Sequence, residues 1–175
     1  MSTPQPDELP PNARSFWDLH PFWEVPLKFW DSFHIVGLRS HYVASVFAAP
    51  ILIATGGSVI VNISSIGAER YSENVAYGVA KAGVDKLAAD MAEELRPHHV
   101  ASVALWPGFT RTEDVLKQID IFPDLEKTVS PLFNGRAVVA LAADPEVFAK
   151  TGQSFRVSDL AKEYGFLDEP GNARR

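Results

Sequence analysis

A tyrosine and a lysine four residues apart, Tyr77 and Lys81, are the residues whose types and spacing most directly suggest chemistry. They lie in the stretch NVAYGVAKAGVDKLAADMAEEL, whose pattern predicts an amphipathic helix. Residues i and i+4 share a helix face, so the two side chains point the same way about one turn apart. A free phenol has a pKa of about 10, and an adjacent ammonium favours the phenolate. The pair therefore predicts a group that moves a proton on or off an alcohol or a carbonyl.

Two serines and a Pro-Gly turn accompany this helix at predicted strand ends. Ser64 and Ser65 end the run SVIVNISS, 12 to 13 residues before the tyrosine, and Pro107-Gly108 closes the run VASVALWPG. Such β-branched runs are typical of parallel strands buried on both faces. Because ligands of open parallel sheets bind at the carboxyl ends of the strands, the site is predicted there. Either serine could hydrogen-bond a substrate oxygen as charge develops on it.

The elements that must position these residues alternate along the chain. A helix is predicted from about Pro26 to Ala54 and ends at Gly56-Gly57. The strand SVIVNISS, the Tyr77 helix, the strand VASVALWPG, a helix over about 132–143 and a short strand in GQSFRVSD follow in that order. This alternation implies right-handed βαβ units, and so an α/β fold with a parallel sheet of about three strands and flanking helices.

Length and composition predict one folded domain with flexible ends. The chain has 175 residues, of which 46% are hydrophobic, enough for one core. Residues 1–14 contain four prolines and are predicted to be a flexible arm. The folded domain is predicted over 15–168, followed by a flexible tail over 169–175. The aromatic residues between 16 and 33 are interpreted as contacts within this fold.

Charge and composition argue against several classes of function. A net charge of −6 disfavours nucleic acid and anionic membranes as partners. The absence of cysteine excludes disulfides and thiolate metal sites, and suits a reducing, cytoplasmic location. Pro50 interrupts the longest apolar run, which is shorter than the roughly 20 residues of a spanning helix, so no membrane span is expected.

A hydrolase and a metal site are also disfavoured by the local patterns. The two serines lack the Gly-x-Ser-x-Gly context of a hydrolase nucleophile. The pairs His34/His41 and His98/His99 have no metal-ligand spacing beside carboxylates. We therefore predict no metal site.

The combined pattern resembles the catalytic half of the short-chain dehydrogenase/reductase family. In that family a strand ending in serine precedes Tyr-x-x-x-Lys, and a later strand leads to Pro-Gly-x-x-x-Thr. The corresponding stretches here are VIVNISS, YGVAK and VALWPGFTRT. The resemblance covers about Phe16 to Asp168 and implies the C-terminal portion of a Rossmann-type, doubly wound parallel sheet that lacks its first strands.

The resemblance also implies a role for each matching residue. Tyr77 would be the general acid/base, and Lys81 would lower its pKa and hold the nicotinamide ribose. Ser65, or alternatively Ser64, would polarise the substrate. Three further sites would border the nicotinamide end of the cofactor, namely Pro107 with Gly108, the backbone of Phe109, and Thr112. The implied reaction is hydride transfer between NAD or NADP and a small carbonyl or alcohol substrate.

Two departures from the family pattern change what can be expected. Gly37 stands where the family places an asparagine that supports a relay water. The loop Thr-Gly-x-x-x-Gly-x-Gly, which binds the pyrophosphate, is absent, and ATGGSVIV at 54–61 has no helix after it to replace it. We therefore expect an N-terminally truncated chain that does not bind NAD or NADP tightly and whose SVIVNIS strand is an open edge.

Two functions remain open at this point. One is an oxidoreductase of the family, and the other is a non-catalytic remnant that acts through self-association or through pairing with a full-length relative. In the family, helices corresponding to about 29–54 and 75–96 form dimer interfaces, so a homo-oligomer is expected. The loop Arg111 to Ser130 would shape the substrate pocket, with Ile119, Ile121 and Phe122 as an apolar cover.

Overall fold

The centre of the molecule is a three-stranded parallel sheet. The structure is a computed structural model that describes residues 21–117 and 127–169. Strands β1 (Val59–Ile63), β2 (Ala101–Trp106) and β3 (Ser154–Arg156) lie in the order β1-β2-β3. The register pairs Val59 with Ala101 and Ala104 with Ser154. The predicted α/β class with a parallel sheet of about three strands is confirmed. The predicted arm 1–14 and the tail beyond Glu169 lie outside the described residues.

The helices flank this sheet in the predicted order. They are α1 (Leu27–Thr55), α2 (Val75–Leu95), α3 (Glu113–Lys117), α4 (Pro131–Ala143) and α5 (Val157–Tyr164). Short 3₁₀ turns lie at Phe22–Glu24, Ile66–Ala68, Arg96–His98 and Val147–Lys150.

Strand β2 is covered on both faces, as its unbroken apolar run predicts. Ala101, Val103 and Leu105 belong to a buried cluster that also contains residues of α4 and α5. Side chains alternate across a strand, so the intervening residues of β2 face the opposite side, where α2 packs. This sandwich fixes the carboxyl end of β2, at which the Pro107-Gly108 turn begins.

Helix α2 packs through small side chains. Its buried residues recur mostly every four positions and form one stripe, consisting of Ala76, Ala80, Val84, Ala88, Ala92 and Leu95. The helix begins at Asn74, whose side-chain Oδ1 accepts a hydrogen bond from the backbone N–H of Tyr77 at 2.9 Å. The cap therefore fixes the turn that carries the tyrosine.

Helix α1 contains a feature that the sequence did not predict. Residues Phe33–Arg39 are π-helical, so this segment has a wider turn than the α-helix on either side of it. Helix α1 ends as predicted, at Gly56 and Gly57, which adopt φ of 74° and 62°. Backbone in this left-handed region is accessible to glycine without steric cost.

By length and composition alone, α1 is also apolar enough to cross a membrane, judged over the part of the chain that the structure describes. The sequence predicted no span because Pro50 interrupts the apolar run, whereas in the structure the helix continues through Pro50. This is weak evidence for a span, since core helices of globular proteins pass the same test.

Candidate active site

The side chain of Tyr77 is held among residues from three elements. The Phe33 ring of α1 meets the tyrosine ring edge-on, with 5.6 Å between the ring centroids. On another side Gly67 lies so close that a Cβ there would stand 2.8 Å from Tyr77 Cε1. Glycine at position 67 therefore allows the ring to reach the turn after β1, where Ser65 lies.

The two predicted serines have different partners. The Ser65 hydroxyl lowers the pKa of the Tyr77 phenol, and Ser65 Oγ accepts a hydrogen bond from the Gly67 backbone N–H at 3.0 Å. A Cβ on Gly67 would stand 3.0 Å from Ser65 Oγ and 2.8 Å from Tyr77 Cε1, so the two side chains lie on the same side of this glycine. The Ser64 hydroxyl is buried and donates to the Lys81 backbone carbonyl at 3.0 Å. The geometry thus brings Ser65 to the phenol, whereas Ser64 joins β1 to α2.

Lys81 lies on the same face of α2 as Tyr77, as predicted. Its ammonium donates to the Ile63 backbone carbonyl at 3.1 Å and stands 5.7 Å from the centre of the Tyr77 ring. Burial lowers the pKa of Lys81, while the charges of Glu73 and Asp85 raise it. Asp85, one turn further along α2, accepts hydrogen bonds from Trp106 Nε1 at 3.0 and 3.1 Å, which ties this face of the helix to the end of β2.

The charge balance at Tyr77 differs from the sequence-based expectation. Burial raises the pKa of the Tyr77 phenol, the Ser65 hydrogen bond lowers it and the charge of Glu73 raises it, so the net shift is upward. The expectation that Lys81 brings this pKa below its ordinary value is not met in this structure. The physical reason is that the Lys81 ammonium donates to the Ile63 carbonyl, while the phenol is partly buried near the negative charge of Glu73.

Sequence reasoning missed two residues beside the pair. Glu73 adopts a positive φ of 62° and has a buried carboxylate oxygen, Oε2, without a hydrogen-bond partner. Burial raises its pKa, and the charge of Lys81 lowers it. Burial and the charge of Lys81 lower the pKa of His41 on α1, while backbone hydrogen bonds at Gly37 and Ile63 raise it. No local pattern identifies either residue, because a single Glu in a turn and a single His on an apolar helix usually have no special role.

The segment after β2 reaches the same edge of the sheet as the serines. The Ser64 backbone N–H donates to the Leu105 carbonyl at 2.8 Å, which continues the strand ladder one residue beyond β1. Gly108 is exposed, and a Cβ there would lie 3.2 Å from Val129. A parallel bridge joins Thr110 to Val129. Pro107 and Gly108 are therefore held beside Ser65 by β2 on one side and Val129 on the other.

Thr112 and the predicted pocket loop lie beyond this bridge. The Thr112 hydroxyl accepts a hydrogen bond from the Val115 backbone N–H at 3.4 Å, so it caps α3. Most of the loop's middle, including the predicted apolar cover of Ile119, Ile121 and Phe122, lies outside the described residues. That part of the prediction stays a prediction.

The residues present fit the nicotinamide-ribose end of a dinucleotide cofactor. An ammonium has three N–H donors, and the bond to Ile63 uses one of them. Lys81 can therefore bind vicinal ribose hydroxyls. Phe109 is partly exposed at the carboxyl end of β2, where the predicted nicotinamide-contacting residues lie together. The roles of Tyr77, Lys81, Ser65, Ser64, Pro107, Gly108, Phe109 and Thr112 stay predictions.

Comparison with known proteins gives concordant matches. The model of the family described as short chain dehydrogenase matches residues 9–120. The chain is 44% identical over 165 residues to Dehydrogenase/reductase SDR family member 1 of Homo sapiens, and 43% identical over 162 residues to the Mus musculus protein of that name. Each alignment covers 86% of this chain and 52% of the relative, so the chain spans about half the length of these curated relatives.

A solved structure matches as well. The crystal structure of acetoin dehydrogenase from Enterobacter cloacae superposes with a TM-score of 0.66 at 27% sequence identity. The match covers 83% of this chain and 60% of that chain. The three-stranded sheet and its helices thus correspond to part of a larger fold in the solved protein.

Proposed function

Because this chain belongs to the short-chain dehydrogenase family, we propose that it carries the Ser-Tyr-Lys part of an oxidoreductase. The proposed reaction moves a hydride between NAD or NADP and a small carbonyl or alcohol substrate. One observation carries this proposal: Tyr77 Cε1 and Ser65 Oγ lie 2.8 and 3.0 Å from the point where a Cβ on Gly67 would stand, and the Lys81 ammonium stands 5.7 Å from the centre of the Tyr77 ring. These groups lie at the carboxyl end of β1, next to the end of β2.

In the proposed reduction, the phenol of Tyr77 donates its proton to the substrate oxygen. The Ser65 hydroxyl donates a hydrogen bond to that oxygen and stabilises the charge that develops there. A nicotinamide, when bound, supplies the hydride in reduction and takes it up in oxidation. Lys81 holds the ribose, and the Ser65 hydroxyl, which lowers the pKa of Tyr77, stabilises the phenolate that remains.

The raised pKa of Tyr77 favours one direction of this proposed reaction. A phenol whose pKa lies above its ordinary value is protonated at neutral pH, so it is ready to donate a proton but not to accept one. We therefore propose that carbonyl reduction is favoured near neutral pH. Alcohol oxidation needs the phenolate and should become faster as the pH rises toward that pKa.

We also propose that the chain associates with itself through α1 and α2. Both helices present apolar side chains to solvent, among them Val46, Phe47 and Ile51 on α1 and Val79 on α2. Burying apolar surface is the main favourable term in most protein association. A second copy of the chain would bury these apolar side chains.

Replacing Tyr77 with Phe tests the proposed reaction. We expect Tyr77→Phe to lower kcat by about 10²- to 10⁴-fold, the usual contribution of a proton-transfer group. The measurement is the initial rate of NADH and NADPH oxidation with a panel of aldehydes and ketones. Tyr42→Phe removes the same hydroxyl from an exposed tyrosine of α1 and should leave the rate unchanged.

Two results would contradict this proposal. Turnover retained by Tyr77→Phe would remove the phenol from the mechanism. A wild-type chain that neither binds nor oxidises either cofactor at millimolar concentration would show that this polypeptide is not active by itself.

A further inference from the structure

The turn after β2 is tied to α4 by side-chain hydrogen bonds that the proposed mechanism does not use. Asn134, near the start of α4, donates from Nδ2 to the Thr110 hydroxyl at 2.9 Å. That hydroxyl donates in turn to the Gly108 carbonyl, also at 2.9 Å. The two bonds form one chain, and hydrogen bonds in a chain strengthen each other by mutual polarisation. A side chain of α4 therefore helps to fix the Gly108 carbonyl.

Backbone hydrogen bonds hold the next residues of the same turn. The Phe109 carbonyl accepts a hydrogen bond from the Val129 N–H, and the Val129 carbonyl accepts one from the Arg111 N–H, both at 2.8 Å. These bonds make the bridge between Thr110 and Val129. Gly108 precedes the bridge, is exposed and has no side chain, so its backbone has more conformational freedom than that of other residues. The bond from Thr110 restricts this freedom.

Stability alone does not account for an asparagine at position 134. Its Oδ1 is buried and has no hydrogen-bond partner within residues 21–117 and 127–169, and an unpaired buried acceptor is destabilising. Asparagine is also a weak helix former, and Asn134 lies inside α4, beyond the cap that Ser130 supplies. The part of this side chain that has a partner is its donor, which is directed at Thr110. Departures from local stability of this kind are expected at functional positions.

We propose that Asn134 is a positioning residue for the nicotinamide end of the cofactor, acting through Thr110 on the Gly108 carbonyl. This inference rests on the proposed function, in which Pro107, Gly108 and the backbone of Phe109 border the nicotinamide. Neither side chain has to touch the cofactor. Together they hold the turn in one conformation, so that cofactor binding does not have to order it.

The effect on the turn can be measured on the purified chain without cofactor. Thr110→Val keeps the shape of the side chain but removes the hydroxyl that links Asn134 to Gly108. We expect the bridge amides of Arg111 and Val129 to exchange with deuterium about three- to tenfold faster, as for the loss of one net hydrogen bond. Amides inside β2, followed in the same NMR spectra, report global unfolding, so a change confined to the bridge identifies a local effect.

Three further variants serve as comparisons. Thr110→Ser retains the hydroxyl and should exchange as the wild type does. Asn134→Ala removes the donor and should resemble Thr110→Val. Thr55→Val is the matched control, because the Thr55 hydroxyl also donates to a backbone carbonyl, that of Ile51 at 2.9 Å, but lies at the end of α1. Exchange at the bridge should be unchanged in this control.

A role in positioning the cofactor predicts a second change, which a purely structural contact would not cause. We expect Thr110→Val and Asn134→Ala to raise the KM for NADH or NADPH by about three- to tenfold. The KM for the carbonyl substrate should hold, because Tyr77 and Ser65 are unaltered. Thr110→Ser should restore the wild-type cofactor KM. Initial rates at varied cofactor and at varied carbonyl concentration give both constants.

The two measurements keep this inference apart from the proposed function. Faster exchange at the bridge with an unchanged cofactor KM would show that Asn134 and Thr110 serve stability alone, and would overturn the inference. Unchanged exchange in Thr110→Val would overturn it as well. A wild-type chain that neither binds nor oxidises NADH or NADPH would reject the proposed function, and the positioning role with it, whatever the exchange rates show.

Discussion

Helix α2 buries six residues along one face, whereas α1, the longer and more apolar helix, buries only Ser45 in its segment Ser40–Thr55. The two helices differ in their neighbours. Helix α2 lies over β2, which has a strand on each side, and α1 contacts α2 and the outer strand β1. Among the described residues, β1 has a strand partner only on its β2 side. Apolar composition therefore does not predict burial, which depends on which elements lie alongside.

The same comparison shows which helix carries the proposed reacting groups. Tyr77 and Lys81 lie on α2, the covered helix, and are held by the Asn74 cap, by the close approach of Gly67 and by the Ile63 carbonyl. The packing that buries α2 therefore also fixes the proposed reacting groups.

The largest expected effect on stability comes from truncating a valine to alanine, made separately on each of the two helices. Val84 of α2 is fully buried and Val46 of α1 is 48% exposed. We expect Val84→Ala to lower the free energy of unfolding by about 2 kcal/mol, from two lost methyl groups and the cavity that they leave. At a protein concentration too low for self-association, Val46→Ala should change it by less than about 0.5 kcal/mol. Urea unfolding measures both, and equal losses would show that α1 is covered in solution.

Placing a charged side chain on the exposed face of α1 should change stability less than this but should clearly weaken self-association. Phe47 is 75% exposed, so Phe47→Lys should leave the fold intact and weaken self-association. Val139→Lys places the same charge on an exposed position of α4 and should not change association. Sedimentation velocity over a range of concentrations measures the mass. A wild-type chain that is monomeric at every concentration would reject the proposed self-association.

The smallest effect concerns the hydrogen bonds that hold the start of α4, the helix that packs against one face of β2. Asp168 accepts hydrogen bonds from the backbone N–H and the hydroxyl of Ser130, at 2.9 and 2.5 Å, and so holds the start of α4. Burial raises the pKa of Asp168, but these bonds, the Glu169 backbone and the charge of Arg111 together lower it below its ordinary value of 3.8.

The sign of the pH dependence follows from that lowered pKa. The stabilisation by Asp168 is fully present above the pKa of the unfolded chain and is lost as the pH falls through the lower, folded-state pKa. Asp168→Asn should therefore be less stable than wild type at neutral pH, with the difference shrinking in acid. Urea unfolding at several pH values measures this, and parallel curves for the two proteins would contradict it.

The sheet and the order of its elements could be predicted because the signal is local. The β-branched run before Ser64 and the apolar run before Pro107 needed no knowledge of distant contacts, and the spacing of Tyr77 and Lys81 required only helix geometry. The location of the candidate site at the carboxyl ends of the strands followed from the rule that open parallel sheets bind ligands there. The different surroundings of Ser64 and Ser65 did not follow from it, because they depend on how the turn at Gly67 packs.

Other features depend on contacts that no local pattern encodes. The π-helical turn over Phe33–Arg39 and the positive φ of Glu73 have no signature in the local sequence. The upward shift in the pKa of Tyr77 depends on burial and on Glu73, which the i,i+4 argument omitted. Among the aromatic residues expected to make contacts within the fold, Phe22 and Trp23 are largely exposed, whereas Trp30 stacks on His34 and Phe33 meets Tyr77 edge-on.

The bridge between Thr110 and Val129 has a consequence for how this protein could be redesigned. The bridge joins the two ends of the segment that connects β2 to α4. Each doubling of a loop's length costs only about 0.6 kcal/mol in closure entropy. Val115 of α3 is buried and has to be kept, but the length of the chain after Lys117 and before Lys127 can accordingly be varied while the strand end carrying Pro107 and Gly108 keeps its position.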